Sequence, residues 1–316
     1  MSKILLRVDA SAIKESSCSR RFFWNVVSGY REKLNTNDVE FGSAFHEFIK
    51  VMKLNGGNYA EAIMAAVERF NVPMEIKKDK QYLTAQYLQR LCIRYWDEYV
   101  KQDSFETLTG SDGKALVEEK FSFPYYADDQ VEVALCGTID DLCKHKHGTV
   151  ALRDYKTTSV YKADQYLNGY LLSPQLLFYR LVVRLYARTY PTSLLGDLEK
   201  RNIACFIEGV FLRGATQPAE FKRSEVFFFP EQQIVEFEQL LQQRIIRLVE
   251  DVKKNIVPIR EGMINGACQT VYGHCKFFGA CKQPDDIATN HMLSRYFIQR
   301  PYNPLTFGDE HKTKVS

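Results

Sequence analysis

The sequence predicts an α/β fold in which a mixed β-sheet is flanked by helices. Apolar and polar residues alternate, as in half-buried strands, in three successive segments at 116–123, 131–142 and 149–156. Helical patterns precede these segments at 11–70 and 82–100. A further helix and a strand pair follow, so the predicted core has the order αβββαβ, with its sheet between helical layers.

The elements after the three strands have recognisable boundaries. Ser173 is expected to cap a helix that begins at Pro174 and extends to residue 188, because proline at the first helical position has no amide hydrogen to leave unpaired. A strand pair is predicted at 203–212 and 225–229. A long amphipathic helix is predicted at 231–255, where apolar residues recur at helical spacing: Ile234, Phe237, Leu241, Ile245 and Leu248.

Length and composition indicate one elaborated globular domain. The 316 residues are 45% hydrophobic and 13% aromatic, enough to bury a large core. We expect a single domain over 1–283, followed by an extended or docking tail over 284–316. Within the domain we predict a helical part at 1–105, a core at 106–257 and a Cys-rich segment at 258–283.

Charge and hydropathy indicate which partners and which cellular location to expect. The net charge of +3 and pI near 8.3 permit nucleic-acid binding without demonstrating it. No segment approaches the roughly 20 apolar residues that span a bilayer, and the first residues lack the apolar run of a secretory signal. We therefore expect a cytoplasmic protein without a membrane partner.

The segment GTIDDLCKHKHGTVALRDYKTTS carries the most informative chemistry. Its second strand alternates, so Asp154 and Lys156 project from one face, and Asp140 lies on the strand before. Carboxylates that hold Mg²⁺ or Mn²⁺, beside a lysine that orients or deprotonates water or offsets phosphoryl charge, are typical of phosphodiester cleavage. The alternative is an Asp and a Lys on an ordinary solvated strand.

Several motifs in order resemble the PD-(D/E)XK nuclease superfamily, in particular its RecB-like branch of prokaryotic and phage exonucleases, some of them CRISPR-associated. The resemblance covers roughly residues 11–283 and depends on FGSAFHEFIK, GTIDDL, RDYKTT and QLLFYR. It implies a restriction-endonuclease-like αβββαβ core and a metal-dependent nuclease. It also implies that the N-terminal helices and the Cys-rich segment form a second lobe.

The resemblance implies roles for individual residues. His46, Asp140, Asp154 and the carbonyl of Tyr155 would bind the metal, and Lys156 would act on the nucleophile. Gln175 and Tyr179 are four residues apart on one helical face, and they would orient the site or the strand. Without the resemblance, His46 is a satisfied core or surface histidine, and Gln175 and Tyr179 belong to an ordinary amphipathic helix.

Glu119 is an additional catalytic candidate. It has the same strand parity as Val117, Phe121 and Phe123, so its carboxylate is predicted to point to the apolar side and to need a partner or a metal. The alternative is an irregular strand in which Glu118 and Glu119 are both exposed.

Four of the eight cysteines form a candidate cofactor set. Cys268, Cys275 and Cys281 cluster in one loop-like stretch, and Cys18 stands near the N-terminus. In a cytosolic chain, such cysteines are expected to be free thiols or metal ligands and not to form disulfides. Four thiolates suit a 4Fe–4S cluster, and the resembling nucleases place one Cys before and three after their motifs. Here Cys268 lies farther from Cys275 than in the C-x-x-C pattern.

A structural Zn²⁺ site that uses His274 or Cys275 is the alternative to the iron–sulfur cluster. A set of unrelated free thiols is the third possibility.

The function that we expect is hydrolysis of DNA by an exonuclease that acts on single-stranded DNA or duplex ends. Its setting would be DNA repair or recombination, CRISPR adaptation or phage DNA processing, in a prokaryotic or phage-infected host, with possible protein partners in a recombination or phage complex. One alternative is a catalytically silent DNA-binding scaffold subunit of a recombination complex with a structural metal cluster. Another is an interaction module that recruits partners through its cysteine lobe.

Overall fold

The computed structural model of the chain describes residues 3–270 and 273–306. The strands within this part are β1 Ile4–Val8, β2 Tyr30–Glu32, β3 Phe105–Thr107, β4 Val117–Ala127, β5 Val131–His145, β6 Val150–Thr158, β7 Ala204–Phe211, β8 Glu220–Arg223, β9 Gln269–Thr270, β10 Gly273–His274 and β11 Phe297–Gln299.

The α-helices of the described residues are α1 Ala10–Glu15, α2 Ser19–Phe22, α3 Asn37–Leu54, α4 Tyr59–Phe70, α5 Ala85–Glu98, α6 Ala163–Asn168, α7 Pro174–Thr189, α8 Leu194–Leu198, α9 Glu231–Lys254, α10 Gly262–Asn265, α11 Phe278–Cys281 and α12 Asp286–Tyr296. A π-helical turn covers Phe23–Val27, and 3₁₀ turns cover Lys78–Lys80, Val100–Gln102, Gly169–Leu172 and Glu199–Arg201.

These residues group into two compact units. The first unit comprises 3–33, 121–137 and the described part of 235–306, and the second comprises 34–120 and 138–234. Each unit therefore combines segments that are distant in sequence.

The second unit contains a mixed sheet. Strand β6 pairs antiparallel with β5, where Asp141 lies opposite Arg153, and parallel with β7, where Asp154 lies opposite Ile207. Strand β3 pairs antiparallel with the end of β5, and β8 pairs antiparallel with β7. The predicted α/β class with helices around a mixed sheet is confirmed.

Helix α3 forms the core of the second unit together with α4 and α5. Its apolar residues recur at helical spacing and are buried: Phe41, Ala44, Phe45, Phe48, Ile49 and Met52. These side chains pack with Tyr155 of β6, so α3 covers the face of the sheet opposite to that of Asp154. Asp38 and Glu40 in the first turn favour the helix N-terminus through its dipole.

The first unit joins the N-terminal residues with the C-terminal ones. Strand β1 runs parallel to the first part of β5, with Ile4 opposite Val131, and β2 pairs antiparallel with β11. The described part of the segment that was expected to be an extended or docking tail contains helix α12 and strand β11. Residues 307–316 of the predicted tail lie outside the described residues.

One predicted strand was misplaced. The apolar run at 225–229 is irregular apart from a single bridge between Cys205 and Phe227. The antiparallel partner of β7 is β8, whose sequence EFKR is mostly polar. Arg223 of β8 pairs with the buried carboxylate of Glu208, which lies opposite it on β7, at 3.1 Å, a contact that local hydrophobic alternation cannot reveal.

Candidate active site

Strands β5 and β6 bring Asp140, Asp154 and Lys156 together, as the sequence predicts. Asp154 is 2% exposed, and its Oδ1 and Oδ2 lie 2.9 and 2.7 Å from Nζ of Lys156. The Oδ2 of Asp140 accepts a hydrogen bond from the main-chain N–H of Tyr155 at 2.9 Å. The two strands therefore hold two carboxylates and one ammonium group at the same place.

Helix α3 contributes His46. Its Nε2 lies 3.0 Å from the carbonyl oxygen of Tyr155, and its Nδ1 lies 3.6 Å from Oδ2 of Asp140. Gly42, one turn earlier, permits this approach, since a Cβ at that position would lie 2.9 Å from Oγ1 of Thr157. The absence of a side chain at Gly42 thus allows the helix to bring His46 up to the strand.

The hydrogen bond to Tyr155 determines which nitrogen of His46 faces the carboxylates. A carbonyl oxygen only accepts hydrogen bonds, so Nε2 carries a proton and the Nδ1 side is left for a ligand. Burial lowers the pKa of His46, but the charge of Asp140 and the hydrogen bond to Glu118 raise it to about 9. Metal coordination through Nδ1 would therefore displace a proton.

Glu118, and not Glu119, completes this group. The Oε1 of Glu118 lies 3.6 Å from Nδ1 of His46. Strand parity selected Glu119, but the left-handed backbone of Glu118, with φ of 54°, interrupts the alternation, and Glu118 is the residue beside His46. Glu119 is half-buried, and burial raises its pKa.

His46, Glu118 and Asp140 have the geometry of a cation site. Among the described residues, these three side chains offer ligand atoms that all lie within 4.8 Å of one another. The Oδ2 of Asp154 is buried and accepts no hydrogen bond of normal geometry, although it touches Nζ of Lys156. Carboxylate oxygens with one imidazole nitrogen fit a hard divalent cation such as Mn²⁺ or Mg²⁺.

The protonation states fit an electrostatic role for Lys156. Burial lowers its pKa, but Asp154 and Asp140 outweigh burial and raise it. Burial raises the pKa of Asp154 to about 6 and also raises that of Asp140. Lys156 is therefore a cation at neutral pH, suited to offset charge on a phosphoryl oxygen more than to remove a proton.

Gln175 reaches the site from α7. Its Nε2 donates to Oδ1 of Asp154 at 2.7 Å and to the hydroxyl oxygen of Tyr179 at 3.1 Å. The helix begins at Pro174 after Ser173, as predicted, which aims its first turn at β6. Gln175 therefore fixes the carboxylate of Asp154, and Tyr179 fixes Gln175.

A buried charge network supports the strands behind the site, and sequence reasoning missed it. Arg153 is 1% exposed, with NH1 2.6 Å from Oδ2 of Asp103 and Nε 3.2 Å from Oδ2 of Asp141. The hydroxyl of Tyr155 donates to the same oxygen of Asp141 at 3.0 Å. Asp140 and Asp154 are each adjacent in sequence to a member of this network, Asp141 or Arg153.

In the first unit, Cys18, Cys268, Cys275 and Cys281 line one cavity. Cys268 and Cys275 flank the antiparallel pair β9–β10, and the N–H of Cys275 donates to the carbonyl of Cys268 at 2.9 Å. Because the two strands are antiparallel, Cys268 and Cys275 lie next to each other, and a spacing longer than C-x-x-C still brings both thiols to the cavity. Gly262 makes room for Cys268, since a Cβ there would lie 3.0 Å from Sγ of Cys268.

The four residues fit an iron–sulfur cluster by number and type of donor. All are free thiols, and burial raises the pKa of Cys281 to about 11, so binding of a metal would release protons. The cavity measures about 20 Å³, room for about one water, so the thiols would have to move apart around a cluster.

A zinc site would likewise require the thiols to move. Zn–S bonds of about 2.3 Å would hold tetrahedral sulfurs about 3.8 Å apart. The four sulfurs do not provide three that lie within 4.8 Å of one another. The ring of His274 stacks on Phe278, with centroids 4.3 Å apart, and does not line the cavity.

Comparison with protein families agrees with this geometry. A model of the PD-(D/E)XK nuclease superfamily matches residues 13–282, which include all the residues of the candidate site. The chain belongs to the PD-(D/E)XK nuclease superfamily. Members of this superfamily are typically metal-dependent nucleases that use divalent cations. A search of curated proteins gave no match.

The described part of this PD-(D/E)XK protein contains no helix with the length and apolar character required to cross a bilayer.

Proposed function

We propose that this chain is a Mg²⁺- or Mn²⁺-dependent deoxyribonuclease. The observation that carries the proposal is the group of His46, Glu118 and Asp140 beside the Asp154–Lys156 pair. A structural core has little reason to gather three carboxylates without a cation, because their repulsion and desolvation oppose folding. The neutral imidazole nitrogen is a donor that Mn²⁺ accepts more readily than Mg²⁺.

Each residue of the site has a role in the proposed hydrolysis. The cation would be held by Nδ1 of His46 and by the carboxylates of Glu118, Asp140 and Asp154. The carbonyl oxygen of Tyr155 keeps His46 in the required tautomer, and this oxygen still has a second lone pair. A divalent cation supplies positive charge at the phosphodiester and makes water a better nucleophile.

Lys156 then offsets the charge that develops on the phosphoryl oxygen, and Gln175 holds Asp154 in position. These contributions come from groups whose places are fixed before substrate binds.

The substrate that we propose is DNA, attacked from single-stranded or duplex ends in the manner of the RecB-like exonucleases. The proposed processes are repair, recombination, CRISPR adaptation or phage DNA processing, in a complex with protein partners. The net charge of +3 is compatible with a polyanionic substrate.

Cleavage of end-labelled single-stranded and duplex DNA with Mn²⁺, Mg²⁺ or chelator tests the activity. We expect metal-dependent cleavage that Asp154→Asn and Glu118→Gln each reduce at least about 100-fold. Glu119→Gln is the matched control and is expected to cleave within about twofold of wild type. Release of labelled mononucleotides from the start would identify an exonuclease, and internal fragments would identify an endonuclease. A folded, metal-supplied wild type that binds DNA without cleaving it would be a scaffold instead.

We also propose that Cys18, Cys268, Cys275 and Cys281 hold a structural 4Fe–4S cluster. Protein purified anaerobically should contain iron and acid-labile sulfide in equal amounts and absorb visible light. Cys18→Ala should lose both, whereas Cys92→Ala, at a buried cysteine of the other unit, should retain them. Stoichiometric zinc in place of iron would support the alternative site.

A further inference from the structure

A cleft beside the end of β6 has the chemistry of a nucleobase platform. The cleft is open, has a volume of about 400 Å³, and is lined by Tyr161, Arg213, Gln217, Pro218 and Glu220. Tyr161 is 79% exposed, which is unusual for a large aromatic side chain. It follows Lys156 by only a few residues, just beyond the end of β6.

Arg213 is a fixed support behind Tyr161. Its guanidinium carbon lies 5.0 Å from the centre of the Tyr161 ring. Its NH1 donates to the carbonyls of Val160 and Tyr161 at 3.1 and 2.8 Å, and its NH2 pairs with Glu220. The side chain of Arg213 is only 11% exposed, so the guanidinium holds one orientation.

This occupation of Arg213 indicates what the cleft can bind. Both terminal nitrogens of the guanidinium are engaged and Glu220 offsets the charge, so the cleft offers little to a phosphate group. An exposed ring above a buried cation presents a flat, polarised surface that suits another flat ring. The amide of Gln217 can both donate to and accept from the edge of such a ring.

A chain of ring contacts connects the cleft with the candidate active site. The guanidinium of Arg213 lies 5.5 Å from the ring of Phe211, and Phe211 lies edge-on to Tyr166, with centroids 5.7 Å apart. Phe211 in turn lies over Gly209, the register partner of Lys156 in the sheet, since a Cβ at Gly209 would lie 2.5 Å from the Phe211 ring.

We propose that Tyr161, supported by Arg213, stacks an unpaired base of a single DNA strand whose neighbouring phosphate lies at Lys156. The proposal deepens the proposed nuclease function and depends on it for the identity of the strand. Stacking on an aromatic side chain accepts any base, so the cleft would favour single-stranded ends over blunt duplex ends without reading sequence.

Binding measured without cleavage tests this proposal separately from the nuclease activity. Fluorescence anisotropy of labelled single-stranded and blunt duplex DNA is recorded in chelator, where no metal-dependent cleavage occurs. We expect Tyr161→Ala to weaken single-strand binding about tenfold and to leave duplex binding within about twofold. Tyr161→Phe should bind as wild type. Tyr190→Ala, at another exposed tyrosine, should also do so.

A series of DNA strands with an abasic nucleotide at each position in turn locates the base that contacts Tyr161. At one position, the missing base should weaken binding by the wild type about as much as Tyr161→Ala does. In the Tyr161→Ala variant, the same abasic nucleotide should weaken binding no further. Any of three results would overturn the proposal. Tyr161→Ala could weaken single-strand and duplex binding equally, or a folded Tyr161→Ala variant could bind as wild type. The effects of the abasic nucleotide and of Tyr161→Ala could also be independent of each other. A protein that shows this coupling but cleaves nothing with metal would refute the nuclease function and keep the platform.

Discussion

Replacement of Glu118 by Gln is predicted to lower the pKa of His46, and replacement of Glu119 is not. The pKa of His46 is raised from 6.5 to about 9, a rise of about 2.5. Burial acts in the opposite direction, so Asp140 and Glu118, each 3.6 Å from Nδ1, together contribute more than this rise. Removal of one of two similar contributions should therefore lower the pKa by at least about 1, or about 1.4 kcal/mol.

NMR titration of the histidine Cε1 protons in metal-free protein measures this pKa directly. The chain has only six histidines, and the spectrum of His46→Gln assigns the relevant signal. Glu118→Gln keeps the size of the side chain and removes its charge, so the change in pKa reports electrostatics more than packing. Glu119→Gln makes the same chemical change one residue further along the strand.

Two results would refute the reasoning. A wild-type His46 that titrates near 6.5 would show that the carboxylates do not surround it as described. A lower pKa in Glu119→Gln, with Glu118→Gln unchanged, would show that the strand follows simple alternation and that the left-handed backbone at Glu118 is wrong.

Three further predictions concern stability. In metal-free protein, the free energy of unfolding should fall by about 3 kcal/mol as pH rises from 6.5 to 9, because the raised pKa of His46 stabilises the fold fully only below pH 6.5. The raised pKa of Asp154, about 6, lowers stability in the same direction as pH rises from 3.8. Gly42→Ala should destabilise wild type by about 1 kcal/mol through its contact with Thr157, and should stabilise a Thr157→Ala background by about 1 kcal/mol. Arg153→Met should cost about 3–5 kcal/mol, because buried carboxylates lose their partner.

Urea and thermal unfolding measure all three. Mn²⁺ should raise the melting temperature more at pH 8.5 than at pH 6.5, and an equal rise at both would contradict proton displacement. Equal effects of Gly42→Ala in both backgrounds would exclude the contact with Thr157. Lys101→Met is the control for Arg153→Met: its ion pair with Asp97 is exposed, so a loss of under about 1 kcal/mol is expected.

Local sequence patterns predicted much of the fold. The strand patterns at 131–142 and 149–156 correspond to β5 Val131–His145 and β6 Val150–Thr158, and the helix from Pro174 to α7 Pro174–Thr189. These elements have strong periodicity or capping signals, so their own residues favour one conformation. Strand β1 was missed because its stabilising partner, the start of β5, is more than a hundred residues away in sequence.

The site was predictable in part for the same reason. Asp154 and Lys156 share a strand face by simple alternation, and Gln175 and Tyr179 share a helix face by spacing. Glu118 could not be predicted in this way, because one left-handed residue shifts the strand parity. The placement of Cys268 beside Cys275 likewise depends on the β9–β10 pairing.

The sequence by itself thus determined the α/β class, the order of the main elements and the residue types that suit a metal-dependent phosphodiester site. Only the tertiary structure decided that Glu118 joins His46, that Arg153 is buried among carboxylates, and that Tyr161 stands on Arg213. The physical reason is that periodicity and capping act over a few residues. The position of a charged side chain is decided instead by the long-range partners that offset its loss of hydration.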